Sequence, residues 1–138
     1  MKIKNILIPL DDSTRTLESI NSVKSLFGDK EVVIYVLHII DDYKFALSEF
    51  GNLDEEKVLS MNILNKAEEM LPSYNVNKIS KLATGTSIAK DIVDVIDENN
   101  IDAVIMTKTG KGFYHKFILG SVTSRLLKIS PVPVTIIP

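Results

Sequence analysis

Cysteine is absent from this 138-residue chain, which removes disulfide frameworks, thiolate metal sites and thiol catalysis together. A basic surplus is also missing. The formal net charge of -2 offers no excess of cations for tracking phosphates along DNA or RNA, so long nucleic acid is not an expected partner. Long apolar runs are lacking too: Ile6-Leu7-Ile8-Pro9-Leu10 is cut off by Asp11 and Asp12 before a signal-peptide core or a membrane span is complete. A cytoplasmic protein with no membrane partner is therefore expected. No internal repeat, low-complexity stretch or linker divides the sequence, and one domain over residues 1–138 is the simplest organisation.

What is present is an ordinary globular balance, with 45% apolar and 25% charged residues. That length can bury a core without metal or disulfide staples. Four short runs rich in Val, Ile and Leu stand out: Ile6 to Leu10, Val32 to Ile40, Ala103 to Met106 and Val132 to Ile137. They lack strict alternation, as expected of parallel strands covered on both faces. A fifth run, Asn77 to Ala83, alternates apolar residues with lysines and fits a strand nearer an edge.

Segments of helical spacing lie between these runs. Leu17, Ile20, Val23 and Phe27 follow the cap candidates Asp12 and Ser13 and stop at Gly28. Val58, Met61, Leu64 and Leu71 mark a second helix ended by Pro72, with Asp54-Glu55-Glu56 in its first turn, where carboxylates favour the positive end of the dipole. Ile88, Ile92 and Ile96 mark a third behind Thr86 and Ser87, and Ser121 to Ile129 a fourth, stopped by Pro131. Asp41 to Leu53 and Lys108 to Leu119 have no period and read as loops. Alternating strands and helices predict an α/β domain, doubly wound, with about four helices on both faces of a five-stranded parallel sheet.

Ligands of such sheets bind outside the carboxyl ends of the strands. The residues to weigh are those just after each run, and the segment after Met106 is the most informative. Thr107-Lys108-Thr109-Gly110-Lys111-Gly112 leads on to Gly120-Ser121 at the mouth of a predicted helix. Glycines let backbone amides approach an anion, and a helix start adds unpaired N–H groups. Ser121 can donate a hydroxyl hydrogen bond, and Lys108 or Lys111 can offset charge. The same residues fit equally a turn and a helix start with no ligand. Neither a Walker loop nor the Gly-x-Gly-x-x-Gly fingerprint is present.

Ile6-Leu7-Ile8-Pro9-Leu10-Asp11-Asp12-Ser13 resembles the first strand and turn of the universal stress protein family. Val36-Leu37-His38 resembles its second strand, and Gly85 with Ile88 the start of its third crossover helix. The piece from Met106 to Ile137, with Gly110, nine intervening residues, Gly120-Ser121 and Pro131-Val132-Pro133-Val134, resembles the family's closing signature. The resemblance implies an adenine nucleotide alpha hydrolase-like fold with strand order 3-2-1-4-5, and a dimer.

It also implies a site for ATP, with magnesium or manganese as a possible companion. By position, Asp11 would hydrogen-bond the adenine or ribose, and Ile39 would line the base pocket beside Pro9 and Leu10. Met106 and Thr107 would flank the ribose. Gly110, Gly120, Ser121 and Val122 would present amides or a hydroxyl to the phosphates. Two departures stand out: Thr107 occupies the family's first glycine position, and Asp12 stands where many members have glycine. A mild loss of affinity is the expectation.

Other chemistries fit less well. His38 has no second histidine nearby in sequence, so a satisfied structural histidine is preferred to a catalytic or metal one. Asp41 and Asp42 read as the solvated start of a loop rather than a metal cluster. A receiver phosphoacceptor site would need an aspartate after the third strand and a lysine after the last, and has neither. No base or fixed cation clamp for ATP hydrolysis is identifiable, so at most slow hydrolysis is expected. The last strand should lie at a sheet edge, where a second copy can satisfy its backbone and Pro133 limits the ladder. A nucleotide-responsive regulator is the first reading, a dimeric interaction protein that binds no nucleotide the second, and a small adenylate-handling enzyme the third.

Overall fold

The computed structural model describes residues 2–28, 30–41, 53–108 and 120–138. Most of the predicted loop residues after Asp41 and after Lys108, Gly110 among them, lie outside that set. Five strands form one parallel sheet: β1 (Asn5–Leu10), β2 (Val33–Ile40), β3 (Asn75–Leu82), β4 (Ala103–Thr107) and β5 (Val134–Ile137). Their order is β3-β2-β1-β4-β5, as predicted. The helices are α1 (Glu18–Phe27), α2 (Leu53–Glu69), α3 (Ile88–Glu98) and α4 (Ser121–Ile129).

The strand sequences follow from their places in the sheet. Ile6, Leu7 and Ile8 of the central β1 are 0% exposed, and all five residues of β4 are buried, so both strands read as unbroken apolar runs. Each Val, Leu, Ile or Met side chain among them contributes about 1.5–3 kcal/mol by leaving water. The edge strand β3 instead alternates half-buried and exposed positions and carries Lys78 and Lys81 on opposite faces. Alternation divides the core in two. Ile6, Ile8, Leu10, Ile34, Val36 and Ile105 meet α1 and α2 on one face. Leu7, Leu37, Val104 and Met106 meet α3 and α4 on the other.

Several boundaries differ from the sequence reading. The third strand begins at Asn75 rather than Asn77, because its ladder with β2 starts at the Val33–Asn75 pair despite little burial there. The fifth strand begins at Val134 rather than Val132. Pro133 has no N–H to give, though its carbonyl accepts Val104 N at 2.9 Å. The second helix starts at Leu53, one residue inside the predicted loop, with all three predicted acids in its first turn.

The start of the first helix is also corrected. A 3-10 turn, Thr14–Leu17, precedes α1, and Leu17 at the N-cap makes no side-chain cap bond. Asp11 helps to shape this turn by accepting Ser13 N at 2.7 Å on Oδ1. The predicted stop at Gly28 stands: its φ of 56° lies in the region that glycine tolerates best.

Candidate functional site

β1 and β4 are neighbours, yet the chain continues from β1 to β2 on one side and from β4 to β5 on the other. Their carboxyl ends therefore bound a crevice at the switch point of the sheet. A cavity of about 500 Å³ opens there.

Local bonds fix the cavity wall at three places. At the end of β1, Thr16 Oγ1 lies 3.2 Å from both Asp11 N and Asp11 Oδ1, and the carboxylate also holds the Ser13 amide. After β3, Thr84 donates through N and Oγ1 to the fully buried Asp91 carboxylate at 3.2 and 2.5 Å, tying the connection to the first turn of α3. Ser87 caps that helix by accepting Lys90 N at 3.1 Å, as Thr86-Ser87 predicted. Ile88 and Ile92 of α3 then form an apolar side of the cavity.

At the end of β4, one bond continues the pairing with β5 and two hold α4 against the sheet. Lys108 N donates to Ile137 O at 2.8 Å, Gly120 N to Lys108 O at 3.0 Å, and Thr123 Oγ1 to Thr107 O at 3.3 Å. Gly120 is the N-cap, with no side-chain cap bond, and the first intrahelical bond runs from Ser124 N to Gly120 O. The N–H groups of Ser121, Val122 and Thr123 thus lie in the helix's first turn, where a positive dipole end faces outward. The Gly120 amide was expected to meet a phosphate. It is already spent on Lys108 O, so Gly120 offers close backbone approach rather than a donor.

Of the ten residues named from sequence, nine line this one cavity: Pro9 and Leu10 at the end of β1 with Asp11 just after it, Ile39 on β2, Met106 and Thr107 on β4, and Gly120, Ser121 and Val122 at α4. Gly110 lies outside the described residues. Thr107 is 5% exposed, and alternation along β4 puts its side chain on the face of Ile105, opposite Met106.

Sequence reasoning missed the wall opposite α4. Thr16, Glu56, Leu59 and Ile63 line the cavity from the turn after β1 and from α2. Thr16 carried a local signal, standing five residues past Asp11 at the helix start. The α2 residues carried none.

His38, predicted as a satisfied structural histidine, has Nδ1 at 2.8 Å from Ser60 Oγ, and Ser60 Oγ lies 2.7 Å from Ser80 Oγ. It lines the cavity as well. Asp12 and Asp41 also line it, but no group of three or more His, Asp or Glu side chains fit to hold a metal occurs among the described residues. No helix among the described residues is long and apolar enough to cross a membrane.

Comparison with known proteins places this architecture. A model of the universal stress protein family matches residues 2–138. The chain is 25% identical over 144 residues to the universal stress protein MJ0531 of Methanocaldococcus jannaschii, covering 97% of this chain and 81% of that one. It is 26% identical over 156 residues to MJ0577 of the same organism, covering 97% and 94%. The solved structure of MJ0577 superposes with a TM-score of 0.79 over 99% of this chain and 96% of that chain. Three more distant structures share the fold. A universal stress protein in complex with cAMP has TM-score 0.73 at 13% identity, covering 99% of this chain and 98% of that one. The Archaeoglobus fulgidus protein in complex with dAMP has 0.72 at 17%, covering 99% and 98%. An Arabidopsis thaliana family protein with AMP bound has 0.66 at 15%, covering 97% and 90%. With its sheet order, its two-faced core and a matching family model over nearly its whole length, this chain belongs to the universal stress protein family.

Proposed function

We propose that the protein is a cytoplasmic, nucleotide-responsive regulator that takes an adenine nucleotide, ATP in the finer form of the reading, into the cavity at the carboxyl ends of β1, β2 and β4. One observation carries this reading: the cavity joins an apolar wall to the uncapped first turn of α4. Pro9, Leu10, Ile39 and Met106 supply surface for a purine and its ribose, and Asp11 supplies an acceptor for their polar edges. Ser121 and Val122 direct amides at a phosphate, where the helix dipole favours negative charge. A volume near 500 Å³ is within the usual range of about 300–1,000 Å³ for small-molecule sites. The adenine nucleotides bound by the three distant relatives support the same ligand class.

Magnesium or manganese would enter with the phosphates. The cavity carboxylates would help to hold such an ion, which would offset the negative charge of the phosphates. Binding and a change of surface are the function; no base for hydrolysis is assigned. Assembly as a dimer through the β5 edge, signalling nucleotide occupancy to a protein partner, belongs to the same proposal.

A second reading, a dimeric interaction protein that binds no nucleotide, is favoured by one feature: Thr107 and Asp12, the two departures from the family pattern that the sequence resembles, both line the cavity. Mass spectrometry of ligand released from the purified chain, followed by calorimetric titration with AMP and with ATP plus magnesium, separates the two. Saturable micromolar binding of either nucleotide is expected. Absence of both bound ligand and binding heat would leave the second reading.

A further inference from the structure

The sheet has two edges, and they differ in charge. β5, the edge proposed above for the dimer, reads Val134-Thr135-Ile136-Ile137 and has no charged residue. β3 carries Lys78 and Lys81 and no carboxylate. We propose that the free edge of β3 is a docking site for an extended segment of a partner protein in which acidic and apolar residues alternate, added to the sheet as one more strand. The inference stands apart from the nucleotide reading.

The backbone supplies the attraction. β3 pairs with β2 in parallel along its whole length, and the ladder runs on to Ala83, whose N–H donates to Ile40 O at 2.8 Å. Peptide groups alternate in direction along a strand, so Asn77, Ile79, Lys81 and Ala83 turn theirs toward β2. Those of Val76, Lys78, Ser80 and Leu82 turn outward. Among the described residues nothing pairs with them. They therefore present a row of N–H and C=O groups at the spacing that an added strand requires.

The side chains select the partner. Val76, Lys78, Ser80 and Leu82 share the face covered by α2, and Asn75, Asn77, Ile79 and Lys81 share the other. On the α2 face Lys78 is held by Asn65 and Glu68 at 2.9 and 3.1 Å, so its charge is matched within the chain. Met61 stands one turn before Asn65 and so on the same side of the helix. It is 37% exposed and Leu82 is 41% exposed, which gives an added strand apolar contact on this face. On the other face Lys81 forms no ion pair with any described residue, and Asp94 of α3 is bonded instead to Lys90 at 2.9 Å. An acidic side chain on that face of the added strand meets a cation with no partner of its own. A second copy of β3 would bring further lysines and no carboxylate, so the occupant is an acidic segment rather than β3 itself.

The test is amide hydrogen exchange, read by NMR on the full chain, with an end-blocked peptide that alternates valine with glutamate. Without peptide, the outward amides of Val76, Lys78, Ser80 and Leu82 should exchange freely while those of Asn77, Ile79 and Lys81 are protected. Saturating peptide should protect the outward set and leave β5 as it was. The same peptide with methylated amide nitrogens, or with lysine in place of glutamate, should give no protection. Lys81→Glu should weaken binding of the glutamate peptide about fivefold, the upper size of a cross-strand charge pair. Lys78→Pro removes one outward N–H while the bonds to β2 persist, and should abolish the protection, with Lys78→Ala as the control for lost charge. If Lys78→Pro does not fold, the methylated peptide makes the same test on the intact chain. Absence of protection with the glutamate peptide, or equal protection by the lysine peptide, overturns the proposal. Protection of the outward amides that grows with protein concentration in the absence of peptide overturns it too, and places a second copy at this edge.

Discussion

The two ends of the sheet handle the same problem in opposite ways. Where strands begin, short polar side chains consume the loose backbone groups: Asp102 Oδ2 accepts Lys4 N at 2.9 Å and Asn5 N at 2.8 Å, and Asn5 Nδ2 donates to Asn100 O at 3.1 Å. The amino end of β1 is thereby stapled to the turn before β4. Where strands finish, no side chain caps α4, carboxylates line a cavity, and the first-turn amides face the space between two diverging crossovers. One end is closed by hydrogen bonds and contributes stability; at the other, the described residues bound the cavity proposed to take the nucleotide. A structure can hold a cavity at one end because the core and the opposite end are tightly satisfied.

The largest expected effect on this contrast is structural. Leu126 is 0% exposed and fastens α4 to the core. Leu126→Ala should cost about 3 kcal/mol in chemical denaturation, and should loosen nucleotide binding because the helix carrying the amides loses its seat. At the closed end, Asp102→Ala should cost about 2 kcal/mol, since two backbone donors lose a charged acceptor, with AMP affinity unchanged in the variant that remains folded. A loss of affinity in Asp102→Ala equal to that in Leu126→Ala would dissolve the distinction between the ends.

Within the open end, Thr107→Gly should raise AMP affinity less than tenfold, measured by titration, because the threonine side chain lies across the strand from Met106 while its backbone borders the cavity. The smallest effect is expected at the exposed Lys90–Asp94 pair, 2.9 Å apart on α3. The one hydrogen bond, donated by Lys90 to Asp94, holds the Asp94 carboxyl below its usual value and the Lys90 ammonium above its own. The Asp94 contribution is present at neutral pH and lost as pH falls through the lowered value. That of Lys90 is lost only as pH rises past its raised one. Asp94→Asn should leave denaturation midpoints at pH 7 and pH 3 nearly unchanged, as for an exposed pair.

How far the sequence reached depended on burial. β1 and β4 were legible because strands covered on both faces show as apolar runs, and α3 because Ile88, Ile92 and Ile96 repeat above the cap at Ser87. β3 was displaced by two residues, since its first positions, Asn75 to Asn77, have little apolar surface to betray a ladder. At the site, the residues after β1 and β4 were legible because each follows its strand directly. Glu56, Leu59 and Ile63 were not. They reach the cavity only through the rotation of α2, and Val58, Leu59 and Met61 are all exposed while Ser60 between them is fully buried, so apolar spacing pointed to the wrong face. The burial of Ser60, and with it the anchoring of His38, follows from tertiary packing that no local pattern announces.

The most direct test of the account is an amide-resolved NMR titration of the full chain with AMP. The account expects the largest shifts at Ser121, Val122, Asp11 and Ile39, with Asn5, Asn100 and Asp102 silent. Shifts confined to the amino ends of the strands, or none at saturating AMP, would contradict it.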